Sequence, residues 1–402
     1  MLKKKFNTDN NTTLPADKKR LIVNIEKLVS GGLGLCNTKT GIIFTPFVFP
    51  GEQAEIELCK VKSDYSVARL LRLVKASPLR QEPPCPLFTF CGGCQYQMMP
   101  YENQLIEKKN IIQESIQRIV HFTPQINPVI PSDNSFYYRN KASYQVFNIN
   151  QIGFCRPGTT KPFAIEKCIL MEKPIIKQTD IYINETIEKQ KINYKKCLVI
   201  RSNFEGKTIT SLNKQESFTE KIKELKFIVN IDSFFQINRT VIPKWLDYIK
   251  QKSQDYSLGL GLIDLYAGCG IISQHLAPLY ENVVGIEIDK NLVKNGNRGL
   301  EMNNIHNAQY IQADANQFDS IGLKYDTIII NPPRKGIQAK TLKAIIQAKP
   351  KAIIYSSCNP DTFARDLCQF KENNYTINEI QPFDMFPQTR HCEVVGIMTK
   401  KM

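Results

Sequence analysis

Short apolar segments separated by turn residues occupy residues 21–75 of the chain. Within these segments apolar and polar positions alternate, which is typical of strands with one buried face. The turn residues between the segments are Gly31-Gly32, Lys39-Thr40-Gly41 and Pro50-Gly51-Glu52. The pattern therefore predicts a small OB-like β-barrel of about five strands over residues 21–77.

A proline-rich break at residues 78–86 leads into a different pattern. Residues 101–120 carry apolar side chains at helical spacing, which predicts one amphipathic helix. Strand-like runs without a clear period follow from about residue 125 to about residue 225. We therefore expect a central α+β domain over residues 78–228.

The last part of the chain, residues 229–402, alternates short apolar runs with helical stretches. The predicted strands are residues 262–265, 283–288, 327–330 and 352–355, and the predicted helices include 291–302 and 363–370. Strands that alternate with helices in this way predict parallel βαβ units. The fold class is therefore α/β, with a Rossmann-like C-terminal domain.

Composition and charge narrow the choice of partner. The 402 residues are 42% hydrophobic and 23% charged, which suits a folded protein of more than one domain. A formal net charge of +15 and a basic, disordered lead over residues 1–20 indicate a polyanionic partner, with nucleic acid the first candidate. A Lys-rich proteome is the alternative explanation. No apolar run is long enough to span a membrane and the N-terminus does not resemble a signal peptide, so we expect a cytoplasmic monomer without a membrane partner.

A candidate cofactor site follows the first strands of the C-terminal domain. The run DLYAGCG at 264–270 joins a predicted strand to a helix, and its glycines let the backbone approach a ligand. The next strand ends in GIEID at 285–289, where a carboxylate suits the two hydroxyls of a ribose. Asp314 follows a third run and suits an adenine amino group. Glycine turns and acidic strand ends also occur for packing, but their order here is the usual methyltransferase arrangement.

Two polar clusters near the C-terminus offer catalytic side chains. YSSCNP at 355–360 places Cys358 just past a predicted strand, at the edge where ligands gather in open α/β sheets. PQTRHCE at 387–393 ends at Glu393, before the last apolar run. Methylation of carbon 5 of uracil needs a thiolate that adds to carbon 6 and a base that removes the carbon 5 proton, and these residues fit both roles. The alternatives are a small buried cysteine and a solvated carboxylate.

The order of the motifs resembles the RNA uracil-5-methyltransferase family over nearly the whole chain. The shared segments are SFFQIN, DLYAGCG, GIEID, AD, NPPRKG, YSSCNP and DMFPQTRHCE. The resemblance implies transfer of a methyl group from S-adenosylmethionine to carbon 5 of a uridine in structured RNA. The target it implies is 23S ribosomal RNA, with transfer RNA as the alternative. The N-terminal barrel is similar to a TRAM domain, which implies RNA binding.

The resemblance also implies individual roles. Cys358 is implied to be the nucleophile and Glu393 the proton acceptor. The implied cofactor contacts are Gln236, Tyr266, Glu287, Asp314 and Asn331. This chain has Ala267 where the family usually has Cys, and Asn331 where it has Asp. An amide keeps one acceptor but loses the charge, so we expect Asn331 to weaken catalysis without abolishing it.

Four cysteines form a candidate metal site. Cys85, Cys91 and Cys94 stand in the pattern C-x5-C-G-G-C, and Cys168 lies further along the chain. Four thiolates suit a 4Fe–4S cluster or a tetrahedral zinc ion. The spacing is similar to that of the iron–sulfur branch of the family, so we predict a 4Fe–4S cluster with a structural or RNA-positioning role. Unrelated cysteines beside a proline-rich linker are the alternative.

Other interpretations remain open. The run FYYRNK at 136–141 suits stacking on unpaired bases, or equally a strand with a packed aromatic face. NPP at 331–333 is typical of amino-group methyltransferases that act on adenine or guanine, but Arg334 follows where an aromatic residue is expected. A catalytically silent RNA-binding protein that has changed at Asn331 is a further alternative. The presence of Cys358 and Glu393 argues against both.

Overall fold

The computed structural model describes residues 19–121, 125–147, 151–186, 197–212, 216–257, 259–322 and 324–401. The basic lead predicted over residues 1–20 lies almost entirely outside this range. Two compact units are present. The first comprises Met1–Glu107, Phe154–Phe163 and Gln388–Arg390, and the second comprises Lys108–Gly153, Ala164–Pro387 and His391–Met402.

The first unit contains a six-stranded sheet. Its strands are β1 (Arg20–Asn24), β2 (Lys27–Val29), β3 (Leu33–Thr38), β4 (Gly41–Pro46), β5 (Gln53–Val61) and β6 (Tyr65–Lys75). They pair in the order β1-β5-β6-β4-β3-β2, and all pairs are antiparallel except β4 with β6. Buried positions alternate along parts of β3 and β4, and their Cys36 and Ile43 belong to a small core that also includes Val23 and Ile56. The strands predicted here are therefore present, one more than expected, and closure into a barrel stays a prediction.

The amphipathic helix predicted over residues 101–120 is confirmed as α1 (Tyr101–Val120). Ile112 and Ile116, one turn apart, are completely buried. The three residues between Ile112 and Ile116 are polar, so α1 has the apolar stripe that its spacing predicted. None of the described helices is both long enough and apolar enough to cross a membrane.

A five-stranded sheet and a hairpin occupy the middle of the chain, where no period was clear. The sheet has the order β11-β10-β7-β8-β9. Its strands are β7 (Lys141–Val146), β8 (Ile152–Cys155), β9 (Pro162–Ala164), β10 (Cys197–Ser202) and β11 (Thr208–Thr210). Helix α2 (Lys173–Ile181) continues into one π-helical turn, Tyr182–Thr186. The hairpin consists of β12 (Ser217–Ile222) and β13 (Leu225–Asn230).

The C-terminal part of the second unit is a seven-stranded sheet with the order β16-β15-β14-β17-β18-β20-β19. Its strands are β14 (Gly261–Leu265), β15 (Asn282–Glu287), β16 (Ala308–Gln312), β17 (Thr327–Ile330), β18 (Ala352–Ser357), β19 (Tyr375–Phe383) and β20 (Glu393–Lys400). The helices are α3 (Ile242–Tyr256), α4 (Ile271–Leu276), α5 (Lys290–Met302), α6 (Ala339–Ala348) and α7 (Pro360–Glu372), with 3-10 turns at Ala277–Leu279 and Ala315–Ile321. The four strands predicted from apolar runs are all confirmed.

Strands β14 to β18 are parallel, whereas β20 runs antiparallel between β18 and β19. Every residue of β14, β17 and β18 is buried, which explains why these strands read as continuous apolar runs rather than as alternating patterns. Because the parallel strands share one direction, their carboxyl ends meet at one edge of the sheet. The first residues of the antiparallel β20 lie at that same edge, since Val394 pairs with Ser357.

Candidate active site

The glycine-rich turn after β14 has two glycines with different surroundings. Both adopt a left-handed backbone, with φ of 60° at Gly268 and 84° at Gly270. A Cβ added at Gly268 would meet no atom within 4 Å, so open space lies beside it. A Cβ at Gly270 would lie 1.9 Å from the hydroxyl of Tyr310, which is buried and bonded to Ser273. Gly268 therefore suits close approach of a ligand, whereas Gly270 is required by the packing of Tyr310.

The acidic residue predicted at the end of β15 is fixed next to this turn. Glu287 accepts a hydrogen bond from the backbone N–H of Gly268 at 3.0 Å through Oε2, and from that of Asp289 at 2.9 Å through Oε1. These bonds orient the carboxylate while leaving each oxygen with further acceptor capacity. The arrangement suits a ligand that donates hydroxyl groups beside Gly268.

Of the other predicted cofactor contacts, Tyr266, Asp314 and Asn331 follow the carboxyl ends of strands of this sheet, and Gln236 precedes α3. Asp314 begins the 3-10 turn after β16 and caps it through Asn316 N–H at 3.1 Å. Burial raises the pKa of Tyr266, and Asp314 is close enough to raise it further. Asn331 directly follows β17, with its N–H bonded to the carbonyl of Leu265 at 3.3 Å. Gln236 is buried, and its backbone carbonyl accepts from the Asn140 amide at 3.0 Å.

Cys358 and Glu393 are brought together from different strands. Cys358 follows the last residue of β18, and Glu393 is the first residue of β20, the strand paired with β18. Burial raises the pKa of the Cys358 thiol to about 11, with the nearby Glu393 carboxylate the second cause. The nearby positive charge of Arg334 acts in the opposite direction and favours the thiolate. The two residues predicted for catalysis are therefore neighbours, with a cation beside the thiol.

Glu393 is a buried side chain rather than a solvated loop carboxylate. It is 3% exposed, and burial raises its pKa to about 7. Ser356 donates a hydrogen bond to its Oε1 at 2.6 Å, which lowers that pKa. The indole N–H of Trp245 in turn donates to the Ser356 hydroxyl at 3.2 Å. A carboxyl group with a pKa near neutrality suits exchange of a proton with a substrate.

The loop that carries Arg334 is tied to α7. The side chain of Asn359, the N-cap of α7, donates to the carbonyl of Arg334 at 3.0 Å. The buried carboxylate of Asp366 accepts from Ile337 N–H at 2.9 Å and from the Tyr355 hydroxyl at 2.8 Å. The sequence predicted no role for Arg334 in the site and set it only against an amino-group methyltransferase that acts on adenine or guanine. Its place three residues after Asn331, in the loop that follows β17, is the feature that could have indicated such a role.

The segment between β19 and β20 is held by buried polar contacts of the second unit. Lys108 and Asp384, 1% and 0% exposed, form an ion pair at 2.5 Å, and Lys108 also donates to the carbonyl of Phe386. The hydroxyl of Tyr138 donates to the carbonyl of Pro387 at 3.0 Å. These contacts hold the residues from Asp384 to Pro387, which follow β19 and precede Glu393 in the chain.

Different residues of the aromatic and basic run at 136–141 suit its two interpretations, base stacking and internal packing. Tyr138 is buried, as expected for packing, whereas Tyr137 is 41% exposed with a left-handed φ of 56°. Lys141 pairs across strands with Arg201, and burial together with this cation lowers the pKa of Lys141 to about 8. Tyr137 is thus the aromatic side chain of the run that is most open to a base, while Tyr138 has a structural role.

The predicted metal ligands are divided between the two units. Cys85, Cys91 and Cys94 belong to the first unit and Cys168 to the second. The backbone N–H of Gly93 donates to the sulfur of Cys91 at 3.4 Å, and Cys91 lies near Cys85 and near Cys155. Among the described residues, no group of three or more His, Cys, Asp or Glu side chains is arranged to hold a metal ion. The iron–sulfur cluster therefore stays a prediction.

The strand order of the seven-stranded sheet and the polar residues at the carboxyl ends of its parallel strands define an α/β fold of the class I methyltransferase type. The sequence profile of the tRNA (uracil-5-)-methyltransferase family matches residues 173–402, more than half of the chain. The chain therefore belongs to this family, and it is an RNA methyltransferase that uses S-adenosylmethionine.

Relatives and a solved structure agree with this assignment. An RNA methyltransferase of Bacillus cereus is 30% identical, over 96% of this chain and 98% of that protein. An RNA methyltransferase of Aquifex aeolicus is 28% identical, over 95% and 99%. The crystal structure of the Pyrococcus abyssi tRNA (uracil-54, C5)-methyltransferase in complex with S-adenosyl-L-homocysteine superposes with a TM-score of 0.72, at 25% identity over 94% of this chain and all of that one. The resemblance drawn from the ordered motifs is confirmed.

Proposed function

We propose that the protein methylates carbon 5 of a uridine in structured RNA through a covalent bond between Cys358 and the base. The observation that carries this proposal is the juxtaposition of the Cys358 thiol and the buried Glu393 carboxyl group, with Arg334 next to the thiol. An amino-group methyltransferase has no use for this pair. A silent RNA-binding protein would have no reason to keep a buried carboxyl group beside a thiol.

The proposed reaction consists of an addition, a methyl transfer and an elimination. The Cys358 thiolate, favoured by the nearby charge of Arg334, adds to carbon 6 of the uracil and turns carbon 5 into an enolate nucleophile. S-adenosylmethionine, when bound, would supply the electrophilic methyl group for carbon 5 and leave as S-adenosylhomocysteine. Glu393 then accepts the proton of carbon 5, and the electron pair left behind expels the Cys358 thiolate from carbon 6. The free enzyme is regenerated and one proton is released per methyl group.

The edge of the seven-stranded sheet fits the methyl donor. The open space at Gly268 admits a ligand against the backbone, and Glu287 offers acceptors for the ribose hydroxyls beside it. We assign the contacts with the donor to Gln236, Tyr266, Glu287, Asp314 and Asn331. Asn331, directly after β17, would also lie near the target base.

We propose 23S ribosomal RNA as the substrate, as the resemblance to the iron–sulfur branch implies. Transfer RNA is the second candidate, because the superposed Pyrococcus abyssi enzyme acts on uracil 54 of tRNA. In either case the uridine must leave its stack to reach a thiol that is only partly exposed. Mapping 5-methyluridine in ribosomal and transfer RNA from cells with and without the gene distinguishes the two targets.

The cysteine cluster is a separate proposal. We propose that Cys85, Cys91, Cys94 and Cys168 hold a 4Fe–4S cluster that supports the fold or positions RNA, on the strength of their spacing. No reaction step is assigned to the cluster. Protein purified without oxygen should contain about four iron atoms per chain. Stoichiometric zinc without iron would contradict the proposal.

The domain boundaries, the oligomeric state and the cellular location are proposed from the sequence. We propose that residues 21–77 form a TRAM-like barrel that binds RNA, residues 78–228 a central domain that carries the cysteines, and residues 229–402 the methyltransferase domain. We also propose that the protein acts as a cytoplasmic monomer. Its net charge of +15 supports RNA as the partner.

A trapping experiment tests the proposed function directly. RNA with 5-fluorouridine has no carbon 5 proton to remove, so the adduct with Cys358 should persist on a denaturing gel. The Cys358→Ala protein should form no adduct, and the Glu393→Gln protein should accumulate adduct even on ordinary uridine. An adduct in Cys358→Ala equal to that of the native protein would show that the nucleophile is another residue.

A further inference from the structure

Three buried side chains form a hydrogen-bonded line that ends at Glu393. Trp245 on α3 is 1% exposed, Ser356 on β18 is 0% exposed and Glu393 is 3% exposed. The Trp245 indole N–H donates to the Ser356 Oγ at 3.2 Å, and the Ser356 hydroxyl donates to Glu393 Oε1 at 2.6 Å. Neither Trp245 nor Ser356 was singled out by the sequence or used in the proposed reaction.

The line has a fixed direction because an indole N–H is a donor and never an acceptor. Its bond occupies a lone pair of the Ser356 oxygen and leaves the Ser356 proton free to turn towards Glu393. A hydroxyl that donates to a carboxyl oxygen stabilises the ionised form of that group more than the protonated form. Within a water-poor interior such bonds are stronger than in solution.

We propose that Trp245 and Ser356 are positioning residues that act as a one-way hydrogen-bond chain and keep Glu393 in the ionised form that accepts the substrate proton. The catalytic part of this inference rests on the proposed function. The hydrogen-bond chain itself is a property of the free protein.

The surroundings of Glu393 explain why such a chain is needed. Burial alone raises the pKa of Glu393 and thus favours the uncharged acid, while Ser356 is the group that lowers it. Glu393 lies close enough to the thiols of Cys358 and Cys392 to contribute to their raised pKa values. Beyond Cys392 lies the neutralised pair of Lys108 and Asp384. Loss of the Ser356 hydroxyl should therefore move the pKa of Glu393 upwards.

The first test needs neither RNA nor methyl donor, because Trp245 is the single tryptophan of the chain. Its fluorescence, titrated from acid to alkaline pH, should change with a midpoint near 7, the pKa of Glu393. The Glu393→Gln protein should lose this transition, and Ser356→Ala should weaken it and move it to higher pH. The Cys358→Ala protein should keep it. A transition that persists unchanged in Glu393→Gln would overturn the chain.

The second test is the pH dependence of methylation. In Ser356→Ala the rate should fall about tenfold below neutral pH and recover at alkaline pH, a shift of about one pH unit for one hydrogen bond to a charged group. Trp245→Phe, which retains an aromatic ring, should shift the profile in the same direction by less. Ser253→Ala is the matched control, since it removes a buried hydroxyl of α3 that is bonded to Tyr280.

The possible outcomes separate the two proposals. A Ser356→Ala protein that loses the same fraction of activity at every pH would make Ser356 merely structural and overturn the inference. An unshifted profile with normal activity would do the same. If the native protein forms no 5-methyluridine and no adduct, the proposed function fails, while the fluorescence titration still decides whether the chain controls Glu393.

Discussion

Gly268 and Gly270 share one turn and one sequence motif, yet replacing them with alanine should have opposite consequences. In Gly270→Ala the new Cβ would lie 1.9 Å from the Tyr310 hydroxyl, at a backbone φ of 84°. Tyr310 has no simple retreat, since a Cβ at Gly285 would approach its ring to 2.2 Å and one at Gly296 to 2.7 Å. The ring thus fills a space bounded by three glycines.

The magnitudes follow from strain and overpacking. A left-handed backbone costs alanine about 1–2 kcal/mol, and forcing an extra methyl group into a packed core costs about 1–3 kcal/mol more. Gly270→Ala should therefore lower the free energy of unfolding by about 2–5 kcal/mol. Gly268→Ala should cost only the strain, about 1–2 kcal/mol, because no atom lies within 4 Å of its Cβ. That Cβ would instead fill the space assigned to the methyl donor.

Urea denaturation without ligand and calorimetric titration with S-adenosylhomocysteine measure the two effects separately. Gly270→Ala should show the larger loss of stability. Gly268→Ala should remain folded but bind S-adenosylhomocysteine at least about tenfold more weakly, which corresponds to about 1.4 kcal/mol. Native affinity in a folded Gly268→Ala protein would refute the assignment of this space to the donor. Native stability in Gly270→Ala would refute the packing argument.

Two further predictions concern charge. Lys108→Met should destabilise the protein by about 3–5 kcal/mol in urea denaturation, because it leaves the buried Asp384 carboxylate without its cation. The exposed pair of Arg118 and Asp361 is the control, where Arg118→Met should cost less than about 1 kcal/mol, and equal losses at the two sites would contradict the reasoning. Asn331→Asp should raise the rate of methylation roughly tenfold by restoring a charged acceptor at the site edge. Loss of activity in that variant would mean that the amide has a role of its own.

The sequence predicts the C-terminal fold well because its strands and helices have strong and separate signals. Strands β14, β17 and β18 are buried on both faces, so each is a mostly apolar run between helical stretches. The central region is harder because β9 and β11 have three residues each, too few to show a period. Long-range pairing rather than local pattern determines such short strands.

The sequence predicts those candidate residues whose own side chain matches a chemical step. It does not predict residues that only influence the ionisation of such a side chain. Cys358 and Glu393 could be proposed from the sequence because thiol and carboxyl groups match the chemistry of uracil methylation, and their roles stay predictions. Ser356 and Trp245 are an ordinary serine in an apolar strand and a tryptophan on an amphipathic helix. Only the pairing of strands and the packing of α3 bring the indole, the hydroxyl and the carboxyl group into one line.

The position of Glu393 beside Cys358 also bears on the order of the proposed reaction. The Glu393 carboxylate is the second cause that raises the pKa of the Cys358 thiol, so it disfavours the thiolate in the free protein, whereas the nearby charge of Arg334 favours it. Once the sulfur has added to carbon 6 it is an uncharged thioether, and the repulsion between the two negative charges disappears. The ionised carboxylate of Glu393, which the Ser356 hydroxyl favours, then accepts the carbon 5 proton while the thiolate leaves carbon 6.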